Sequence, residues 1–309
     1  MMLSRIASSL FWIGRYVERS DGTARILDVH LQLLLEDPWI DEDTACRSLL
    51  GVMGSIAPDN TLVRQDVVRI LALDRGTPES IAYSLIAARE NARRAREIVS
   101  SELWESLNTT ANRMSRKLTS DKAHDFFDWV RERAALTMGI MYSGASRDEA
   151  WHFFTLGRSV ERIDMTARLL ATRLLTDASG PSWTTILRSC GAYEPYLRTY
   201  RGVPSARNAA EFLVHDRLFP RSILFSVARA GESLRDLEPR HERVGVSDDA
   251  VRILGQVQSE LEFHRIAEVM GDLPGYMATI RDATSEATNA ITQRYFPENA
   301  APSWIGDSE

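Results

Sequence analysis

Two stretches of this chain, 143 residues apart, are near copies of one another. Residues 10–28 read LFWIGRYVERSDGTARILD and residues 153–171 read FFTLGRSVERIDMTARLLA. They align without a gap, and 11 of 19 positions are identical: Phe11/Phe154, Gly14/Gly157, Arg15/Arg158, Val17/Val160, Glu18/Glu161, Arg19/Arg162, Asp21/Asp164, Thr23/Thr166, Ala24/Ala167, Arg25/Arg168 and Leu27/Leu170. Average residue usage would give about one identity by chance. The echo continues downstream. Asp74–Ile81 matches Asp216–Ile223 at an offset of 142, followed by Ser84/Ser226, Ala88/Ala230, Glu90/Glu232 and Arg93/Arg235. Trp39/Trp183 and Cys46/Cys190 match at an offset of 144. Order and spacing therefore predict two homologous repeats, residues 1–142 and 143–309, packed as one compact unit through their shared apolar faces.

The repeats read as helices. No proline falls between Pro78 and Pro181, and proline is the residue that most surely breaks a helix interior. Alternating runs rich in Val, Ile and Thr are scarce, and no Asn-Gly or Asp-Gly turn joins such runs. The expectation is an all-α helical bundle of roughly ten helices. Asp41–Asp43 would cap a helix around Cys46, Thr77-Pro78 would open another, and Asp121 would precede an aromatic helix. Residues 177–181 read as a loop, and the tail from Pro297 reads as frayed.

Composition narrows the function classes. Of 309 residues, 37 are Lys or Arg and 43 are Asp or Glu, a net charge of −6. A mildly acidic chain lacks the basic footprint of a general nucleic-acid binder. No run of about 18 apolar residues predicts a membrane span, and the start has no long apolar run of the secretory kind. The chain reads as cytoplasmic. Its two cysteines are too few for a disulfide scaffold and lack metal-ligand spacing.

On a helix stepping 100° per residue, Asp28, Asp21, Gly14, Arg25, Glu18, Gly22, Arg15 and Arg19 share one arc. Trp12, Tyr16, Thr23, Leu27, Ile13, Ala24 and Val17 share the other. The polar arc is the one that stays fixed between the copies, whereas Trp12 and Tyr16 become Thr155 and Ser159. Asp21 and Arg25 are spaced to pair along the helix, as are Arg15 and Glu18, and so are Asp164 with Arg168 and Arg158 with Glu161. Exposed pairs contribute a few tenths of a kcal/mol, a weak reason to keep five charges twice. Two readings stand for Arg15, Glu18, Arg19, Asp21, Arg25, Arg158, Glu161, Arg162, Asp164 and Arg168. They form a semi-buried ion-pair network between helices, with glycine permitting close approach, or they line a central pocket where the copies meet. The charged arc predicts that Glu18, Arg25, Glu161 and Arg168 are largely buried and bonded to partners on other helices.

Other candidate chemistry is weaker. Glu149…His152 has the helical spacing of a di-iron ligand pair, but Ser9 stands at the equivalent of His152. Glu211…His215 and Glu260…His264 lack a partner pattern. No metal is expected. Arg89, Arg93, Arg94 and Arg96 make a basic patch interrupted by Glu90 and Glu97. No phosphate-cradling loop is present, so no nucleotide cofactor is expected on this chain alone. Cys46 and Cys190 read as packed core residues.

Leu3–Ala7 leading into Phe11–Arg19 resembles the alpha-E domain family of bacteria. So do Ser146–Trp151 leading into Leu156–Arg162, and the middle segment Glu102–Asn108. Ala150 stands where that family has glycine, and Ser20 and Ile163 stand where alanine is usual; no charged motif residue is lost. The resemblance implies an all-helical protein associated with a circularly permuted ATP-grasp protein and a transglutaminase-like cysteine peptidase. It implies an accessory component of ATP-grasp-dependent peptide ligation, docking the ligase or presenting a peptide or acidic metabolite. Two alternatives stay open. One is an enzyme using Glu18 and Glu161 as acid and base, with Arg15 and Arg158 holding an anionic substrate. The other is a purely structural scaffold.

Overall fold

A computed structural model of the chain describes residues 2–36, 41–115, 117–119, 122–172, 182–238 and 245–297. Among these residues there are fourteen α-helices, one π-helical turn and no strand. The helices are α1 (Ser4–Glu36), α2 (Glu42–Met53), α3 (Arg64–Val68), α4 (Ile81–Arg94), α5 (Ser101–Arg113), α6 (Ala123–Gly144), α7 (Glu149–Ala171), α8 (Trp183–Ser189), α9 (Tyr193–Tyr200), α10 (Ala206–His215), α11 (Ile223–Leu237), α12 (Asp249–Phe263), α13 (Ile266–Gly271) and α14 (Leu273–Tyr295). The π turn spans Arg69–Leu73. The surplus over ten comes from α3, α8, α9 and α13, which have eight residues or fewer. Such short pieces span too few turns for periodicity to declare them.

Capping follows the sequence in part. The Asp41 carboxylate accepts from Thr44 N and starts α2; Asp148 does the same for α7. The expected start at Thr77-Pro78 is displaced. The cap of α4 is Ser80, which accepts from Tyr83 N while its hydroxyl donates to the Asp74 carbonyl. Thr77 instead donates to the Asp74 side chain at 2.8 Å, so residues 77–79 are held as a turn. Ser222 caps α11 in the same manner, donating to the Asp216 carbonyl at 2.5 Å. Asp121, Trp39 and the loop at 177–181 lie outside the described residues.

The axis of the fold is the pair α1 and α7. They lie side by side in the same direction, since Gly14 meets Phe154, Glu18 meets Arg158 and Gly22 meets Met165 in step. Close approach depends on glycine. A Cβ on Gly14 would collide with the Phe154 carbonyl oxygen, and one on Gly157 with the Phe11 carbonyl oxygen. Further along, a Cβ on Gly22 would sit 2.6 Å from Met165 Sδ.

Each helix of the pair carries its own companions. α4 and α6 pack on α1, with α5 against both; α11 and α14 pack on α7, with α12 against both. Two apolar cores result. One surrounds Phe11, Ile13, Phe154 and Leu156 toward the starts of the central helices. The other surrounds Leu27, Leu50, Leu170 and Leu187 toward their ends. Between them, across residues 15–25 and 158–168, the α1–α7 seam is charged. Among the described residues no helix is long and apolar enough to cross a membrane.

Candidate functional site

All ten charged residues selected by the sequence lie on this seam, and the pairing is reciprocal. Glu161 of α7 accepts from Arg15 Nε at 2.8 Å and from Arg19 Nε at 2.5 Å. Glu18 of α1 accepts from Arg158 Nε at 2.8 Å and pairs with Arg162 Nε at 2.8 Å. Backbone anchors repeat the symmetry. Arg19 and Thr23 donate to the carbonyls of Pro78 and Glu79; Arg162 and Thr166 donate to those of Pro220 and Arg221.

The carboxylates are deeply placed: Glu18 is 5% and Glu161 1% exposed. Burial alone would push both carboxyl groups up. The guanidiniums outweigh it, so Glu161 is held down at about 2 by Arg15 and Arg19, and Glu18 lies below the usual carboxylate range beside Arg162, Arg221 and Arg158. Both stay ionised through the neutral range, each ringed by guanidiniums.

Three expectations are corrected. Arg15 turns across the seam to Glu161 instead of along its helix to Glu18, and Arg158 does likewise. At this level the carboxylate of the parallel neighbour lies within reach of the guanidinium, so the pair forms between the helices. Arg25 and Arg168 do not take their carboxylates from other helices. Arg25 pairs with Asp21 at 3.1 Å and Arg168 with Asp164 at 2.6 Å, both within their own helix. They are about a quarter exposed. Their outer Nη1 groups reach the glycine after a short helix: a Cβ would sit 2.9 Å from Arg168 on Gly54 and 3.1 Å from Arg25 on Gly191. Arg168 Nη1 also donates to the Val52 carbonyl at 3.5 Å, complementing the carbonyl dipoles at the end of α2.

Sequence reasoning missed three participants. Arg221 pairs with both Glu18, at 3.2 Å, and Asp21. Arg281 of α14 pairs with Asp164 at 3.2 Å. Glu79 lines a cavity of about 70 Å³ with Arg19, Glu161, Asp164 and Arg168, walled on its apolar side by Ile26 and Met165. The available signal was charge inversion: Glu79 and Arg221 occupy equivalent positions in the downstream echo. Arg281 carried no such signal.

The remaining candidates do not gather. His152 Nδ1 lies 3.7 Å from Asp236, while Glu149 accepts from the Met2 backbone N–H. Among the described residues no group of three His, Cys, Asp or Glu side chains is placed to hold a metal. Burial pushes both thiols up to about 12. In the basic patch, Arg93 pairs with Glu90 and Arg89 donates to Asn108.

Comparison with known proteins places this geometry. The Alpha-E family model, described as "a predicted alpha-helical domain with a conserved ER motif", matches residues 2–296. The Glu-Arg step occurs on the seam as Glu18-Arg19 and as Glu161-Arg162. Uncharacterized proteins of Mycobacterium bovis and Mycobacterium tuberculosis are 26% identical over 98% of this chain. The chain spans 38% of the length of these relatives. No solved structure matches it. With nearly its whole length matched, the chain belongs to the Alpha-E family.

Proposed function

We propose that this chain is a duplicated helical module that serves as an accessory component of ATP-grasp-dependent peptide ligation and performs no acid–base chemistry of its own at the Glu-Arg motif. The observation that carries the reading is the state of Glu18 and Glu161. Each is buried, ionised and ringed by guanidiniums. A general acid needs a proton to give near the working pH, and a general base needs appreciable basicity there. Carboxylates held ionised in this way have no proton to give and are weak bases. The motif instead joins two homologous repeats, 1–142 and 143–309. Reciprocal bonds about α1 and α7 and the matched companions α4, α5, α6 and α11, α12, α14 support the duplication. The boundary at 142/143 falls in the last turn of α6.

The partners are those the family resemblance implies, a circularly permuted ATP-grasp protein and a transglutaminase-like protein. The relatives' greater length fits a module that works beside further domains. With the seam consumed in joining the repeats, docking falls to outer helices, among them α4 with Arg93 and Arg94 and α6. A specific interface would bury roughly 1,200–2,000 Å². Isothermal titration against the cognate ATP-grasp protein tests this. Binding at micromolar concentration that weakens when Arg93 and Arg94 are reversed to Glu supports the reading. Absence of heat and of co-elution removes the partnership, and ATP turnover by this chain alone replaces it with an enzyme.

A further inference from the structure

The two sides of the charged seam are not equal. On one side four guanidiniums, Arg25, Arg158, Arg162 and Arg221, surround two carboxylates, Glu18 and Asp21. On the other, Arg15, Arg19, Arg168 and Arg281 face Glu161 and Asp164, and Glu79 adds a third carboxylate beside the same cavity. The difference comes largely from one position: the backbone carbonyl that accepts from Thr23 belongs to Glu79, and the one that accepts from Thr166 belongs to Arg221.

The surplus charge converges on one spot. Arg221 spends Nε on Glu18 and Nη2 on Asp21; Arg25 spends Nε and Nη2 on Asp21. The Nη1 group of each then points at Gly191. A Cβ there would lie 3.1 Å from Arg25 Nη1 and 3.6 Å from Arg221 Nη1. Neither Nη1 meets an acceptor among the described residues. Arg162 stands behind them, 7% exposed. Burial and its guanidinium neighbours Arg158 and Arg221 together outweigh Glu18 and lower it to about 10. The adjacent Cys190 thiol is neutral and supplies no counter-charge. Beside these groups is a cavity of about 20 Å³ that reaches Ser189 and Cys190. That is room for one water-sized oxygen. Arg25, about a quarter exposed, marks the open edge where a larger group would continue outward.

We propose that Arg25 and Arg221, converging over the bare Cα of Gly191, form an oxyanion site that takes one oxygen of a carboxylate or phosphate group. Fork-shaped guanidiniums with unspent donors are suited to such oxygens. The proposal stands apart from the partnership above, because it concerns the isolated chain.

The test is titration of the full chain with inorganic phosphate and, separately, acetate, at ionic strength held constant with chloride. Saturable heat, with a saturable rise in the unfolding midpoint, is expected from at least one anion below about 10 mM. Which anion saturates assigns the class. Arg25→Gln and Gly191→Ala should each weaken binding about tenfold or more, and Glu79→Gln at the opposite cavity should leave it unchanged. No saturable response from either anion in the wild-type chain overturns the site, whatever the variants' folding. Binding that survives both substitutions, in proteins with unchanged circular dichroism, overturns it as well.

Discussion

Arg15 grips Glu161 across the seam at 2.8 Å, and Arg158 grips Glu18 at the same 2.8 Å in return. Each copy of the motif therefore supplies the cation for the other's anion. A double-mutant cycle on Arg15 and Glu161 should give a coupling energy of about 1–3 kcal/mol, above the range of exposed pairs. Exposed pairs such as Arg93 and Glu90 should show almost none. The measurement is urea unfolding of the two singles and the double. Coupling near zero at the seam would show that the two side chains act independently.

Gly14 and Gly157 set the distance at which those pairs can form. Either one changed to Ala drives a methyl group into a backbone carbonyl, which cannot rotate away. Overpacking of this kind costs about 1–3 kcal/mol or more. Gly139 in α6 has open space around its Cα, and Gly139→Ala should stabilise slightly by removing a helix glycine. Thermal unfolding of the three variants separates the cases.

Much of this was legible in the sequence, and the omissions have physical causes. The gapless match of residues 10–28 with 153–171 located Gly14, Gly157, Glu18, Asp21, Glu161 and Asp164, because a packed helix face is held by what it packs against; Glu79 lies outside those segments. The partners of Arg15 and Arg158 were misread, since spacing along one helix says nothing of a neighbour packed in parallel. Arg221 and Arg281 come from helices or caps far along the chain, and only tertiary contact reveals them. The α4 start lies at Ser80 and not at Thr77 because the Thr77 hydroxyl is spent on the Asp74 side chain while Ser80 caps the helix.

Acid should destabilise the protein over two pH ranges. Burial holds His30 down at about 4, so the unfolded chain takes up a proton below about 6.5 that the folded chain does not. Stability therefore declines as pH falls from 6.5 toward 4. Glu161 is held at about 2 against 4.5 when free, so its contribution is full above 4.5 and is lost as pH falls toward 2. That shift corresponds to about 3 kcal/mol. Unfolding free energy measured against pH should lose its His30 portion in His30→Gln and keep the lower one.

Both thiols should be silent in the folded protein. Cys46 and Cys190 are buried, and burial pushes them up to about 12. Labelling by a disulfide reagent at mildly alkaline pH should proceed only as fast as the structure opens, and denaturant should release both cysteines together with global unfolding. Rapid labelling of Cys190 in native conditions would contradict its placement behind Arg25 and Arg221.

The central claim is that the Glu-Arg motif joins the two central helices and is no acid–base centre. Glu161→Gln tests it most directly, since the substitution keeps the shape and removes the charge that Arg15 and Arg19 both require. Leaving two guanidiniums unpaired at a buried site should cost about 3–5 kcal/mol. Equilibrium urea unfolding of this single variant is the decisive measurement. A clearly lowered midpoint with an unchanged transition slope is the predicted result. A midpoint equal to that of the wild type, together with lost function in the cell, would contradict it and make Glu161 a working group.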